Sequence, residues 1–136
     1  MADQSTLLIV KPDAVRRGLI GEILARVERK GLRVEALRLT RVDRDLAQRH
    51  YAEHAEKPFY GELVDFITGG DVVVAKLGGR DAITVLRTLM GATDPAASAP
   101  GTIRGDLGIE ITENLVHGSD SPASAARELD LFFPEG

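Results

Sequence analysis

The order of its apolar segments is the feature that most constrains how this chain of 136 residues can fold. Short runs of β-branched and other apolar residues alternate with longer stretches in which apolar residues recur every three or four positions. The first pattern is typical of buried strands and the second of amphipathic helices. The strand-like runs cover residues 6–10, 32–42, 72–77 and 114–117.

Together with the helical stretches, these runs give the order β-α-β-(αα)-β-α-β-α. This order matches a ferredoxin-like βαββαβ sandwich, an α+β fold in which helices cover a four-stranded antiparallel sheet. The sequence contains no internal repeat and no linker-like segment. We therefore predict a single domain over residues 1–136.

Capping and helix-breaking residues predict where several elements begin and end. Gly31 is expected to end the first helix, and Asp43 to cap a second one that continues to about residue 54. Ser121 and Pro122 are expected to begin the last helix, which runs to about residue 132. Both periodic patterns are absent over residues 91–105, which predicts a long functional or mobile loop.

Composition and charge exclude several classes of protein. The chain has no cysteine, so it has neither disulfides nor a thiolate site. No apolar run reaches the length of a bilayer, and the net charge of -4 argues against a general affinity for nucleic acid. We therefore expect a cytoplasmic protein with no membrane or specific nucleic-acid partner.

The strongest local signal is the string Asn114-Leu115-Val116-His117-Gly118-Ser119-Asp120. It places a histidine at the end of an apolar strand, followed by a small glycine and two residues with side-chain oxygens. A free imidazole has a pKa near ~6.5, so at neutral pH most of it offers a lone pair without help from a base. Attack on a phosphate gives a phosphoramidate that is reactive enough to pass the group on, which suits a covalent relay.

This string resembles the Asn-x-x-His-Gly-Ser-Asp motif of nucleoside diphosphate kinases. Other segments match the family in the same order, namely Lys11-Pro12-Asp13, His50-Tyr51, Lys57-Pro58-Phe59 and residues 100–106. The chain is thus similar to bacterial-type members over nearly its whole length. The resemblance implies ping-pong transfer of the γ-phosphate of a nucleoside triphosphate, mainly ATP, to nucleoside diphosphates, with broad base specificity.

The resemblance also implies which residues act on the phosphates. His117 would carry the phosphate on Nδ1, the pros nitrogen of its ring. Lys11, Arg87, Thr93 and Arg104 would surround the phosphate groups of the nucleotide. Arginine can bind two oxygens at once and lysine supplies a compact charge, so both suit this task.

A second group of residues is implied for the nucleoside. Asn114 and Lys11 would contact the sugar hydroxyls. Phe59 would stack on the base, with Leu63 and Ile111 as its apolar neighbours. Every base has a π-face, so stacking predicts loose base selectivity.

Tyr51, Ser119 and Glu128 are implied as supporting residues, and Glu128 would orient His117. Mg²⁺ is expected as a cofactor held mainly through the nucleotide phosphates, because the sequence offers no obvious carboxylate cage. We name no protein ligand for it. His50 and His54 have the spacing of a metal-binding pair, but we interpret them as part of a polar helix face.

Two alternatives to the enzyme use the same scaffold. One is a regulatory module that binds nucleotides or nucleic acid, and the other is a phosphotransfer partner for histidines of other proteins. The presence of the histidine with all the implied phosphate ligands favours the enzyme. An open sheet edge and the 91–105 loop predict a homo-oligomer, and the resemblance favours a hexamer over a tetramer.

Overall fold

The computed structural model describes residues 3–135. Its strands are β1 (Asp3–Val10), β2 (Arg33–Arg41), β3 (Asp71–Arg80) and β4 (Val116–Gly118). Its helices are α1 (Pro12–Arg16), α2 (Ile20–Lys30), α3 (Arg44–His50), α4 (Tyr60–Ile67), α5 (Ala82–Met90), α6 (Ile103–Leu107) and α7 (Pro122–Phe132). Single 3₁₀ turns lie at Ala52–His54 and Pro95–Ala97.

The strands form one antiparallel sheet in the order β2-β3-β1-β4. This arrangement confirms the predicted ferredoxin-like α+β sandwich.

The single domain over 1–136 stays a prediction, and residues 1, 2 and 136 of that range lie outside the described part of the chain. Among the described residues, no helix is long and apolar enough to span a membrane.

The central strand β1 is buried on both faces. Leu8 and Val10 pack against α2 and α5, whereas Leu7 and Ile9 pack in a second core formed with α3, α4 and α7. Successive side chains of a strand point to opposite faces, so one apolar run supplies both cores. The functional site lies on the Ile9 face, because Ile9 is the cross-strand partner of His117.

Several predicted boundaries are confirmed by capping contacts. Gly31 ends α2 with a φ of 111°, in the left-handed region that favours glycine. Asp43 accepts a hydrogen bond from the Leu46 N–H at 2.8 Å. Ser121 caps α7 through the Ser124 N–H, with Pro122 in the first turn.

Other predictions are wrong in ways that have local causes. Strand β3 continues to Arg80, three residues beyond the predicted run over 72–77. A Cβ on Gly78 would lie 2.2 Å from Glu35 Oε2 on β2, so the carboxylate of Glu35 lies over this glycine and would have to move for a larger residue.

The predicted loop over residues 91–105 is partly helical. Thr102 Oγ1 accepts a hydrogen bond from the Gly105 N–H at 2.9 Å and so caps α6, which begins at Ile103. Short helices such as α6 lack the two turns over which apolar periodicity becomes visible.

Helix α3 ends at His50 and is followed by a 3₁₀ turn, so the continuous helix predicted to residue 54 is wrong.

Candidate active site

A cavity of about 790 Å³ is lined by side chains from β4, α5, α7 and the α3–α4 segment. The structure brings nearly all the site residues predicted from the sequence to its walls. These are Lys11, Tyr51, Phe59, Leu63, Arg87, Thr93, Arg104, Ile111, Asn114, His117 and Glu128. Ser119 is fully buried and reaches the site through its hydrogen bond to Glu128.

A tight turn centred on Leu115 precedes β4. The Val116 N–H donates to Asn114 O at 2.8 Å, and Leu115 has a φ of 75°, which closes a three-residue turn. A branched residue rarely adopts this conformation, so neighbouring contacts must hold it. Here Leu115 O accepts from the Lys11 N–H at 2.9 Å, and Leu115 N–H donates to Asp13 Oδ2 at 3.1 Å.

The ring of His117 is oriented by a carboxylate. Its Nε2 lies 2.9 Å from Glu128 Oε1, which also accepts from Ser119 Oγ at 2.7 Å. Burial would raise the pKa of Glu128, but the hydrogen bond from His117, the charge of that ring and the Ser119 hydroxyl outweigh burial and lower it to about 2. An ionised carboxylate only accepts, so in the neutral form of the ring Nε2 carries the proton and Nδ1 keeps the lone pair.

Three cationic side chains meet at one end of the cavity. Burial, followed by the charge of Arg104, lowers the pKa of Lys11 to about 8. Burial and the charge of Arg87 lower the pKa of Arg104 to about 10. Like charges brought together out of water disfavour one another, so this end of the cavity favours an anionic ligand.

Arg104 is also a brace for the backbone around β4. Its Nε and Nη2 donate to Asn114 O and Val116 O at 3.0 and 2.6 Å. Its Nη1 donates to Gly91 O at 3.2 Å. Arg87 Nη1 donates to the carbonyl oxygen of Gly118, the residue that follows His117, at 3.2 Å. The two guanidinium groups therefore fix the backbone on both sides of the histidine.

The amide of Asn114 is oriented by two partners. Its Oδ1 accepts from Lys11 Nζ at 2.9 Å, and its Nδ2 donates to Thr93 O at 3.0 Å. Thr93 itself is exposed, so its hydroxyl is available at the cavity wall. The amide and the ammonium thus form one hydrogen-bonding unit.

Apolar groups lie at the mouth of the cavity. Phe59 is 44% exposed, and its ring centroid lies 5.7 Å from that of His54. Leu63 is half-buried and Ile111 is exposed. A half-exposed aromatic ring beside aliphatic groups offers a stacking surface for a planar ligand.

Tyr51 lies deeper, beside the histidine end of the cavity. Burial, followed by the negative charge of Glu128, raises the pKa of its hydroxyl to about 12. The phenol therefore stays protonated at neutral pH.

Comparison with known proteins gives the site a family. A sequence model described as nucleoside diphosphate kinase matches residues 4–136. The chain belongs to the nucleoside diphosphate kinase family. Members transfer phosphate from nucleoside triphosphates to nucleoside diphosphates, and the chain is an enzyme of this kind.

Individual members are similar over nearly the whole chain. The nucleoside diphosphate kinase of Rubrobacter xylanophilus is 62% identical over 130 residues, which cover 96% of this chain and 98% of that protein. That of Archaeoglobus fulgidus is 54% identical, covering 97% and 87%. The solved nucleoside diphosphate kinase of Halobacterium salinarum, in complex with CDP, has a TM-score of 0.95 at 50% identity, covering 97% of this chain and 88% of that one.

Two residues of this nucleoside diphosphate kinase site were missed by sequence reasoning. Arg127 lines the cavity and donates from Nη1 to Arg49 O at 3.1 Å and from Nη2 to His50 O at 3.3 Å. His50 is only 4% exposed, so its interpretation as part of a polar helix face is wrong. The signal that could have identified His50 is its position beside Tyr51, in a segment that matches the family.

His50, His117 and Glu128 also offer one potential metal ligand each, with the three atoms within 4.8 Å of one another. Glu128 Oε1 already accepts from both His117 and Ser119. Hydrogen bonds therefore account for this arrangement, and we assign no ion to it.

Proposed function

We propose that this enzyme works by a ping-pong mechanism in which Nδ1 of His117 carries the phosphate. The observation that supports this assignment is the hydrogen bond from Nε2 of the same ring to Glu128. It uses one nitrogen for orientation and leaves the lone pair of the other for attack.

In the first half-reaction, the Nδ1 lone pair forms a bond to the γ-phosphorus. The bond from that phosphorus to the bridging oxygen breaks, and the nucleoside diphosphate leaves with the electron pair. The ring becomes cationic as the new bond forms, and the ionised Glu128 stabilises that charge. In the second half-reaction, a terminal oxygen of another nucleoside diphosphate attacks the phosphohistidine, and Nδ1 recovers its electron pair.

We assign the phosphate groups of the nucleotide to the cationic end of the cavity. Lys11, Arg87 and Arg104 supply positive charge there, and Thr93 supplies a hydroxyl. Phosphoryl transfer depends chiefly on positioning and on neutralisation of charge. Lys11 and Arg104 are buried, and electrostatic interactions are stronger where water is excluded.

Mg²⁺ fits this proposal as a companion of the nucleotide. The donors at the phosphate end are ammonium and guanidinium groups, which bind phosphate oxygens and repel a metal ion. Mg²⁺ commonly keeps several waters and binds substrate phosphates. It would supply further neutralisation of the phosphate charge, while the residues of the chain bind and orient the nucleotide.

The nucleoside is assigned to the remaining cavity wall. Asn114 and Lys11 present an amide and an ammonium to the sugar hydroxyls. Phe59 offers its ring to the base, and Leu63 and Ile111 add aliphatic contacts. These apolar groups do not distinguish the hydrogen-bonding edges of the bases, which supports broad base specificity.

Assembly and location complete the proposal. Strand β2 is an edge strand, and Leu37 and Leu39 on it are 52% and 62% exposed. An open edge with exposed leucines favours pairing with a second copy. We propose a homo-oligomer, with a hexamer favoured over a tetramer, that works in the cytoplasm where its nucleotide substrates are used.

Labelling with γ-³²P-ATP and Mg²⁺ tests the assignment of His117. The protein should take up one phosphate that is labile to acid and stable to base. His117→Gln should abolish labelling and transfer and keep the far-UV circular dichroism of the wild type. Glu128→Gln should still be labelled, but about ten- to a hundredfold more slowly, because it lacks the charged acceptor. Turnover by His117→Gln at a comparable rate would exclude this nucleophile.

A further inference from the structure

His50 packs against the proposed nucleophile and has no role in the mechanism derived so far. It is the last residue of α3, and its carbonyl oxygen accepts from Arg127 Nη2 at 3.3 Å. This contact joins the end of α3 to α7, the helix that carries Glu128. The side chain of His50 is thereby held at the cavity wall.

The imidazole of His50 is enclosed by three other rings. Its centroid lies 4.7 Å from that of His117, with the two planes at 83°. Phe132 lies 5.3 Å away at 84°, and Tyr51 lies 4.7 Å away at 63°. Such near-perpendicular contacts are a favourable arrangement of aromatic rings.

The His50 ring is neutral in this environment. Burial, followed by the charge of His117, lowers its pKa to about 3, and Nδ1 of His50 has no hydrogen-bond partner. A neutral ring brings no positive charge that would draw the carboxylate of Glu128 away from His117. The contact between the two histidines is therefore one of shape and ring packing.

We propose that His50 is a positioning residue, whose perpendicular ring fixes the plane of His117 so that Nδ1 faces the γ-phosphate. The hydrogen bond to Glu128 alone leaves the ring free to rotate about the Nε2···Oε1 direction. Contact with a second, rigidly packed ring removes that freedom. This inference rests on the proposed phosphorylation of His117.

Removal of the ring tests the proposal in two independent readouts. In His50→Ala, the single-turnover rate of phosphohistidine formation at saturating ATP should fall about two- to tenfold, the value expected for loss of one aromatic pair. The KM for ATP should stay close to that of the wild type, because His50 is assigned to the nucleophile and not to the nucleotide. His50→Phe restores a neutral ring and should recover most of the rate.

The second readout is the ¹⁵N spectrum of the ring nitrogens, which needs no nucleotide. The chain has only three histidines, so the His117 signals are readily assigned. In the wild type they should show one tautomer with Nε2 protonated. In His50→Ala the two shifts should move toward each other, and in His50→Phe they should return. If His50→Ala does not fold, His50→Leu fills the space without a ring and replaces it.

Phe133→Leu is the matched control, because Phe133 lies in the same apolar core but does not line the cavity and makes no ring contact with His50 in the described structure. It should lower stability but leave the His117 spectrum and the phosphorylation rate close to those of the wild type. A Phe133→Leu variant as slow as His50→Ala would overturn the proposal, as would failure of His50→Phe to recover the rate. Absence of phosphate on wild-type His117 would instead overturn the proposed function, and the ¹⁵N spectra would still decide the positioning role.

Discussion

At the scale of single residues, Lys11 connects the pH dependence of the enzyme to one buried ammonium group. Its pKa is lowered to about 8, first by burial and then by Arg104. In the free enzyme this charge is therefore present below about pH 8 and is lost as the pH rises further.

We expect kcat/KM of the wild type to decline as the pH rises through about 8, because kcat/KM reports on groups of the free enzyme. Lys11→Gln should be slower at every pH and should lack this decline. A coupled assay between pH 6 and pH 10 measures both. A wild-type profile that stays flat to pH 10 would contradict the assignment.

Leu115 combines two opposing effects at one position. Its side chain is fully buried, whereas its φ of 75° suits glycine. Truncation to alanine removes the apolar contacts and keeps the backbone strain. Truncation to glycine removes the apolar contacts and relieves the strain as well.

We therefore expect both Leu115→Ala and Leu115→Gly to lose stability, with glycine the more stable of the two by about 1 kcal/mol. This order is the reverse of that found in helices and strands. Urea unfolding followed by circular dichroism measures the difference. Equal or lower stability of the glycine variant would show that the turn carries no strain.

At the scale of elements, the segment from α5 to β4 depends on Arg104. Arg104 lies in α6, and its side chain donates to the carbonyl oxygens of Gly91, Asn114 and Val116. Charge alone does not replace these contacts, because an ammonium group cannot reach three separate carbonyls at once.

Arg104→Lys should therefore lose about 2–4 kcal/mol of the free energy of unfolding and most of the activity, although the charge is kept. Arg87→Lys is the control, since the described contact of Arg87 is one hydrogen bond to Gly118 O. It should be destabilised far less. Denaturant titration with parallel transfer assays tests this, and equal stability of the two variants would contradict the bracing role.

Elements with strong periodicity or caps were predictable, and short ones were not. The buried run of β1 and the caps at Asp43 and Ser121 act through neighbouring residues, so sequence reveals them. Helix α6 is too short to show apolar periodicity, and the burial of His50 depends on residues far away in the chain. The motif around His117 identified the site, and the resemblance implied that Glu128 orients His117. The fold adds the contact itself, in which Nε2 lies 2.9 Å from Glu128 Oε1.

At the scale of the whole molecule, the exposed edge of β2 determines the expected assembly. Leu37 and Leu39 lie on this edge, and covering them in a symmetric contact would remove exposed apolar surface. Light scattering coupled to size exclusion should give six times the mass of the chain, and Leu39→Glu should give smaller species. A mass of four chains would contradict the hexamer, and a single-chain mass would contradict any assembly.

The pairing of β1 also determines when the sheet can form during synthesis. Translation produces β1 first, yet its neighbours are residues 71–80 and 116–118. Contacts between segments so far apart in the chain form late, because a long loop must close first. A nascent chain thus carries its most apolar strand without partners until most of the protein has left the ribosome, and chaperones have that interval in which to bind it.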